Sequence, residues 1–405
     1  MDHIKLLEEL GTVEPPGDAV IARAVALLEA EIGFASGETS PAAEPTRDLR
    51  SSWRRQPGPW THRLMIIAVA AAILVVFFVP LPHLSFFKRL VSPAKISPAT
   101  RPSIGTGTAP GTIFVANAGK LTGGTGNGSI TAYRPGATGN APPELVITAG
   151  VDGPNDIAFD SSGDLWVANY SNNTVTEFSK AELAKASPVP TVTISVVAPS
   201  SDAFSPSGDL WVGSGDTVIE FTNAQLKTSG SPKPVVTLGY RECSIAFDSS
   251  GDLWQGSGDI FAYEWTNAQL AESGSPAPRV TISSTSLAEP CRPTFDSAGD
   301  MWAANYTGNT VVEFTKAQLA ESGSPRPRVT ITPKPSASEP EGLSNPGGVA
   351  FDRTGDLWVP NAGAEAVAEL TKTQLAKSGF PTPARIIAGP DTGLNWPWFI
   401  AIEPG

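Results

Sequence analysis

Cysteine is almost absent from this chain, with Cys243 and Cys291 the two among 405 residues. That count excludes a disulfide framework, and without a C-x-x-C pair it also excludes the common thiolate zinc site. Histidine is missing where it would matter for chemistry: His3, His62 and His83 all precede residue 84. A histidine general base is therefore excluded from the rest of the sequence. Charged residues make up only 17%, and basic ones run short in the body of the chain. Residues 111–405 carry 17 Lys/Arg against 30 Asp/Glu, whereas residues 1–110 carry 11 against 10. An acidic body repels phosphate backbones, which argues against a nucleic-acid partner.

Long apolar runs are also lacking, with one exception. "LMIIAVAAAILVVFF", Leu64 to Phe78, is uncharged, and with Val79 to Leu84 it reaches the ~20 residues of a membrane-spanning helix. It begins too far from Met1 for an ordinary signal peptide and reads as a retained single-pass anchor over 64–84. Arg47, Arg50, Arg54, Arg55 and Arg63 precede it, against Lys88, Arg89 and Lys95 after it. The positive-inside rule then places residues 1–63 in the cytoplasm and the long remainder outside. Apolar residues in that tail predict two small helices broken at "EPPGD". Residues 85–110 form a Pro/Ser/Thr-rich linker.

What is abundant is repetition. "FDSSGDLWVAN" at Phe159 returns in altered form at Phe204, Phe247, Phe295 and Phe351, with glycine steps of 45, 43, 48 and 56 residues. Short strands recurring at that period predict a β-propeller, because one blade cannot bury its faces without neighbours. The chain ends complete the pattern. "FIAIEPG", Phe399 to Gly405, matches the first strand and half the turn of a repeat, and "GTIFVAN", Gly111 to Asn117, supplies the missing half. The expected fold is thus all-β, a six-bladed propeller over 111–405 whose ring is closed by both ends of the domain, with Ile402 in the Phe159 place and Phe114 in the Trp166 place.

A second repeated phrase, "TKAQLAESGSPRPRVTI" at Thr315, has close copies at Ser179, Thr222, Thr266 and Thr371. Each Ser/Thr stands three residues before a Glu or Gln, the spacing of a capping box. This predicts a helix of one or two turns between the third and fourth strands, stopped by Gly230, Gly274, Gly323 and Gly379.

These motifs resemble the NHL-repeat and streptogramin-lyase-like propellers and, more distantly, the gluconolactonase/SMP-30 type. The opening "LLEELGTVEPPGDAVIARAVALLEAEI" resembles the cytoplasmic leader of actinobacterial single-pass proteins, which implies a bacterial cell membrane. The lyase resemblance implies a histidine base beside magnesium, and no histidine lies in the propeller. The lactonase resemblance implies a divalent ion, calcium or magnesium, held by carboxylate and amide oxygens. Asn155, Asn169, Glu242, Asn305 and Asn361 offer such oxygens.

Residues common to every blade serve the scaffold, so function belongs where the repeat departs from itself. The channel mouth, the default ligand site of a propeller, is expected to collect Asn155, Asp156, Asn169, Arg241, Glu242, Arg292, Asn305, Asn361, Trp396 and Trp398. Cys243 and Cys291 share one register in adjacent blades, as free thiols or as an extracytoplasmic disulfide. With no nucleophile elbow and no unambiguous carboxylate cluster, the expectation is a membrane-tethered binding module for a protein, glycan or small molecule. The alternative is a divalent-metal-dependent lactonase or lyase.

Overall fold

A computed structural model describes residues 108–119, 128–239, 244–257, 259–333 and 342–404. The expected tail, membrane span and most of the linker lie outside these residues. Among the described residues no helix is long and apolar enough to cross a membrane.

The repeats fold into six four-stranded antiparallel sheets. The first blade contains β1 (Ile113–Asn117), β2 (Ser129–Tyr133) and β3 (Leu145–Ile147). The second is β4 (Pro154–Phe159), β5 (Leu165–Asn169), β6 (Thr174–Phe178) and β7 (Val192–Ser195). The third is β8 (Pro199–Phe204), β9 (Leu210–Ser214), β10 (Thr217–Phe221) and β11 (Val236–Gly239). The fourth is β12 (Ile245–Phe247), β13 (Leu253–Gly256), β14 (Phe261–Trp265) and β15 (Val280–Ser283). The fifth is β16 (Thr294–Phe295), β17 (Met301–Asn305), β18 (Thr310–Phe314) and β19 (Val329–Ile331), and the sixth is β20 (Ala350–Phe351), β21 (Leu357–Asn361), β22 (Ala366–Leu370) and β23 (Arg385–Ala388). The last strand, β24 (Pro397–Ile402), returns to the first blade and becomes its innermost strand against β1.

That closure has the register expected from the ends of the sequence. Ile402 pairs with Ile113 and Ala401 with Phe114, as Phe159 pairs with Leu165 and Ala158 with Trp166. The Gly111 N–H donates to the Glu403 carbonyl at 3.0 Å and the Glu403 N–H to Thr112 at 2.9 Å, extending the ladder. A sheet without an exposed inner edge cannot recruit another chain there.

Each repeat is built around one local turn and one inter-blade wedge. Asp160 accepts the backbone N–H groups of Ser162 and Asp164 on one oxygen and the Trp166 indole N–H on the other. Asp248, Asp296 and Asp352 repeat this with Trp254, Trp302 and Trp358. The buried ring then meets the Phe of the next blade: Trp166 on Phe204, Trp211 on Phe247, Trp254 on Phe295 and Trp302 on Phe351, with centroids 5.8–6.1 Å apart. Phe114 plays this part against Phe159 at 5.2 Å. Such pairs contribute about 0.5–1.5 kcal/mol each beyond the area they bury.

The second phrase is less helical than expected. One α-turn, α1 (Lys180–Leu183), and short 3-10 turns at Gln225–Lys227, Asn267–Ala271 and Gln374–Ala376 take the place of the helices. The capping box does form, reciprocally at Thr266 and Gln269. The glycines act differently from the expected helix stops. Gly230, Gly274, Gly323 and Gly379 each form a parallel bridge to Ile194, Leu238, Ile282 and Ile331 on the fourth strand of the preceding blade. The serine before each glycine accepts a strand N–H beside the bridge, as Ser273 does from Thr237 at 3.0 Å. The phrase is therefore a clasp between blades.

Candidate ligand site at the channel mouth

The innermost strands place one residue per blade at each level of the central channel. Register puts Asp156, Ser201, Ser244, Arg292, Gly348 and Phe399 at one level. Asp156 is in the second blade and Arg292 in the fifth, on opposite sides of the ring. Arg292 reaches across the axis. Its guanidinium pairs with the Asp156 carboxylate at 2.8 Å, donates to the carbonyls of Ile157 and Ile400 at 3.2 and 3.3 Å, and lies 5.4 Å from the centre of the Phe399 ring. Gly347 and Gly348 make room for β24 here, since a Cβ on Gly348 would stand 2.1 Å from the Phe399 ring.

A second acid joins this pair. Asp202 on β8 is wholly buried, its N–H donates to Asp156 at 3.3 Å, and neither of its carboxylate oxygens has a hydrogen-bond partner among the described residues. Burial pushes the Asp156 carboxyl up to about 6 against the opposing pull of Arg292. Burial, reinforced by the Asp156 charge, holds Asp202 well above the usual carboxylate range. One arginine thus serves two buried acids, and burial favours the neutral form of Asp202.

Above this level the mouth is aromatic. Trp398 packs edge-on against Tyr306 with centroids 4.9 Å apart, and Trp396, two residues earlier in the chain and held at φ 55°, is half-exposed. Asn155 is half-buried and its amide donates to the Ser200 carbonyl of the next blade at 2.9 Å. Cys291 is buried, with its sulfur 3.8 Å from the Pro346 carbonyl. Arg241, Glu242 and Cys243 lie outside the described residues.

The asparagines expected as metal ligands are engaged elsewhere. The side-chain carbonyl of Asn169 accepts the Asp152 N–H, that of Asn305 the Ala288 N–H, and that of Asn361 the Ser344 N–H. Asn117 does the same for Asn395 in the first blade. All four are buried staples that hold the loop before each inner strand. That shared loop contact accounts for the recurrence of Asn at this position.

Sequence reasoning named Arg292 and Asp156 but missed Asp202. The signal was present: "SDAF" puts an aspartate where the second blade has Ile157.

The comparisons agree with this architecture. Residues 152–178 match the NHL repeat. No curated protein matches the sequence. Among solved structures, a nidogen/laminin complex contains a chain 14% identical that aligns over 72% of this chain and 98% of that one, with a TM-score of 0.51. A periplasmic gluconolactonase of Pseudomonas aeruginosa is 12% identical over 73% and 99%, with a TM-score of 0.48. A virginiamycin B lyase of Staphylococcus aureus is 14% identical over 64% and 82%, at 0.40. At 14% identity the likeness to the nidogen/laminin chain is one of fold alone. The chain is a six-bladed β-propeller that carries an NHL repeat in its second blade.

Proposed function

We propose that this chain is a single-pass membrane protein, anchored through residues 64–84, that presents its propeller outside the cytoplasm as a binding module. Its ligand, a protein, glycan or small molecule, seats at the channel mouth against Trp396, Trp398 and Tyr306. The observation that supports this reading is the Arg292–Asp156 pair, which bridges the channel as a charged floor near the aromatic Trp398–Tyr306 contact. An indole and a phenol at a half-exposed rim supply contact area with little entropy to lose. The floor arginine is spent on structure, which favours binding over catalysis.

Two experiments test the proposal. Alkaline phosphatase fused after Gly405 is active only outside the cytoplasm, and an inactive fusion refutes the topology. Full-length protein screened against glycan and small-molecule arrays yields ligands whose binding is lost in Trp398→Ala, and hits indifferent to that change refute the mouth as the site.

A second reading, a divalent-metal-dependent lactonase or lyase, draws support from Asp202, a wholly buried carboxyl with neither oxygen hydrogen-bonded among the described residues. The loop-holding hydrogen bonds of Asn169, Asn305 and Asn361 weigh against those three as its metal ligands. Hydrolysis of a simple lactone that requires added calcium or magnesium and disappears in Asp202→Asn would establish it over the binding module.

A further inference from the structure

The outer edge of a blade is closed by a clasp from its neighbour, and the bonding is the same each time. On β7 the Thr193 N–H donates to the Ser229 hydroxyl at 3.0 Å, the Thr193 carbonyl accepts the Gly230 N–H at 3.0 Å, and the Ser195 N–H donates to the Gly230 carbonyl at 2.9 Å. β11, β15 and β19 repeat all three bonds with Ser273–Gly274, Ser322–Gly323 and Ser378–Gly379. Gly139, from the first blade, bridges β23 in the same way.

The sixth edge, that of β3, has no clasp. The second blade should supply it, but its phrase is one residue short. Gln225, Gln269, Gln318 and Gln374 each donate to a carbonyl eight residues on, whereas Glu182 accepts the N–H of Val189, seven residues on. Where the third blade reads Ser229-Gly230-Ser231-Pro232, the second reads Ala186-Ser187-Pro188. Among the described residues no bridge reaches β3 from outside its sheet. Val146 lies opposite Thr131 as Thr193 lies opposite Thr176, so its N–H and carbonyl face outward, and the Thr148 N–H takes the place of the Ser195 one. None of these three groups has a partner among the described residues. The Val146 side chain is 47% exposed, at a position where four sister strands carry threonine. A strand edge pairs with another chain unless charge, proline or a cover prevents it, and β3 itself has none of these.

We propose that the edge of β3 is a docking site for an extended segment of another protein with the Ser-Gly-x-Pro chemistry of the clasps. The molecule already contains this interface between its own blades, and those copies define the occupant. A hydroxyl accepts the Val146 N–H, the next N–H donates to the Val146 carbonyl, and the carbonyl of that same residue accepts from Thr148. In strand addition of this kind main-chain bonds give affinity and flanking side chains give selection. The site lies on the rim of the first blade and is independent of the mouth and of any ligand there.

The probe is a synthetic peptide with the sequence of the fifth-blade clasp, Leu319 to Arg326. At a peptide concentration ten times its dissociation constant, full-length protein is expected to exchange the amide hydrogens of Val146 and Thr148 about tenfold more slowly, because about a tenth of the edges stay free. Thr237 and Gly239, on a clasped edge, do not change. The same peptide with proline in place of its glycine lacks the central donor and has no effect. Ala186→Ser with a glycine inserted before Ser187 restores the missing clasp, so that variant protects both amides without peptide and no longer responds to it. No slowing with the peptide in millimolar excess, or equal slowing by the proline peptide, overturns the proposal. So does protection already present in the wild type without peptide: if it is independent of protein concentration the edge is covered by this chain itself, and if it grows with concentration the occupant is a second copy.

Discussion

Replacing Arg292 with methionine removes the charge that crosses the channel while keeping most of the side-chain volume. Two buried acids are then left without a cation, and the carbonyls of Ile157 and Ile400 lose a donor. Removing one partner of a buried pair costs about 3–5 kcal/mol, because the remaining charge stays buried. The size of the loss depends on pH with a definite sign. Asp156 sits at about 6 in the fold against 3.8 for a free carboxyl, so the unfolded chain holds fewer protons between those values, and stability falls as the pH rises through them. For Asp156 alone that decline amounts to about 3 kcal/mol. Asp202, likewise raised by burial, contributes with the same sign. Without Arg292 both acids hold their protons to still higher pH. The variant is therefore expected to lose about 3–5 kcal/mol near pH 7.5 but only about 1–2 kcal/mol near pH 4.5, where the missing hydrogen bonds alone count. Urea denaturation of the full-length protein at the two pH values measures this. Equal losses at both would refute the electrostatic account, and Asp156→Asn in the Arg292→Met background should recover part of the loss at the higher pH.

Three further outcomes follow from the packing. Gly348→Ala drives a methyl into the Phe399 ring and should cost about 1–3 kcal/mol, whereas Gly323→Ala, with open space around it, should stay within about 0.5 kcal/mol by the same denaturation assay. Deleting residues 397–405 strips β24 from the first blade and should abolish cooperative melting in calorimetry, while a permutant joining Gly405 to Gly111 and opening a surface turn elsewhere should melt as the parent does. Ser273→Ala removes one clasp hydrogen bond and should cost about 0.5–1.5 kcal/mol, with hydrogen exchange accelerated at Thr237 on the preceding blade.

The fold was legible because each repeat confines its own logic to a few neighbouring residues. Asp160, Gly163 and Trp166 specify a turn and a wedge within one hairpin, and five copies reveal the period. Closure was legible for the same reason, since Phe399–Pro404 and Gly111–Asn117 are complementary halves of that hairpin. The clasps were misread. A glycine after a capped turn looks like a helix stop in one dimension, and its partner, a strand of the preceding blade, lies 36 residues away for Gly230 and Ile194. The channel floor was visible only in part: Arg292 and Asp156 are separated by 136 positions, and that they meet follows from their being three blades apart in a ring of six. Asp202 broke the repeat's apolar register in plain view. Only a closed ring shows that its neighbour across the gap is another acid.

The composite first blade also decides how the domain responds to force. A pull on the chain upstream of residue 108 is transmitted to β1, a strand laddered to β24 on one side and β2 on the other. Tension along that strand loads both ladders in shear, so several hydrogen bonds must fail together before the first blade can open. A tether attached there grips the wheel by a spoke rather than by a loose rim.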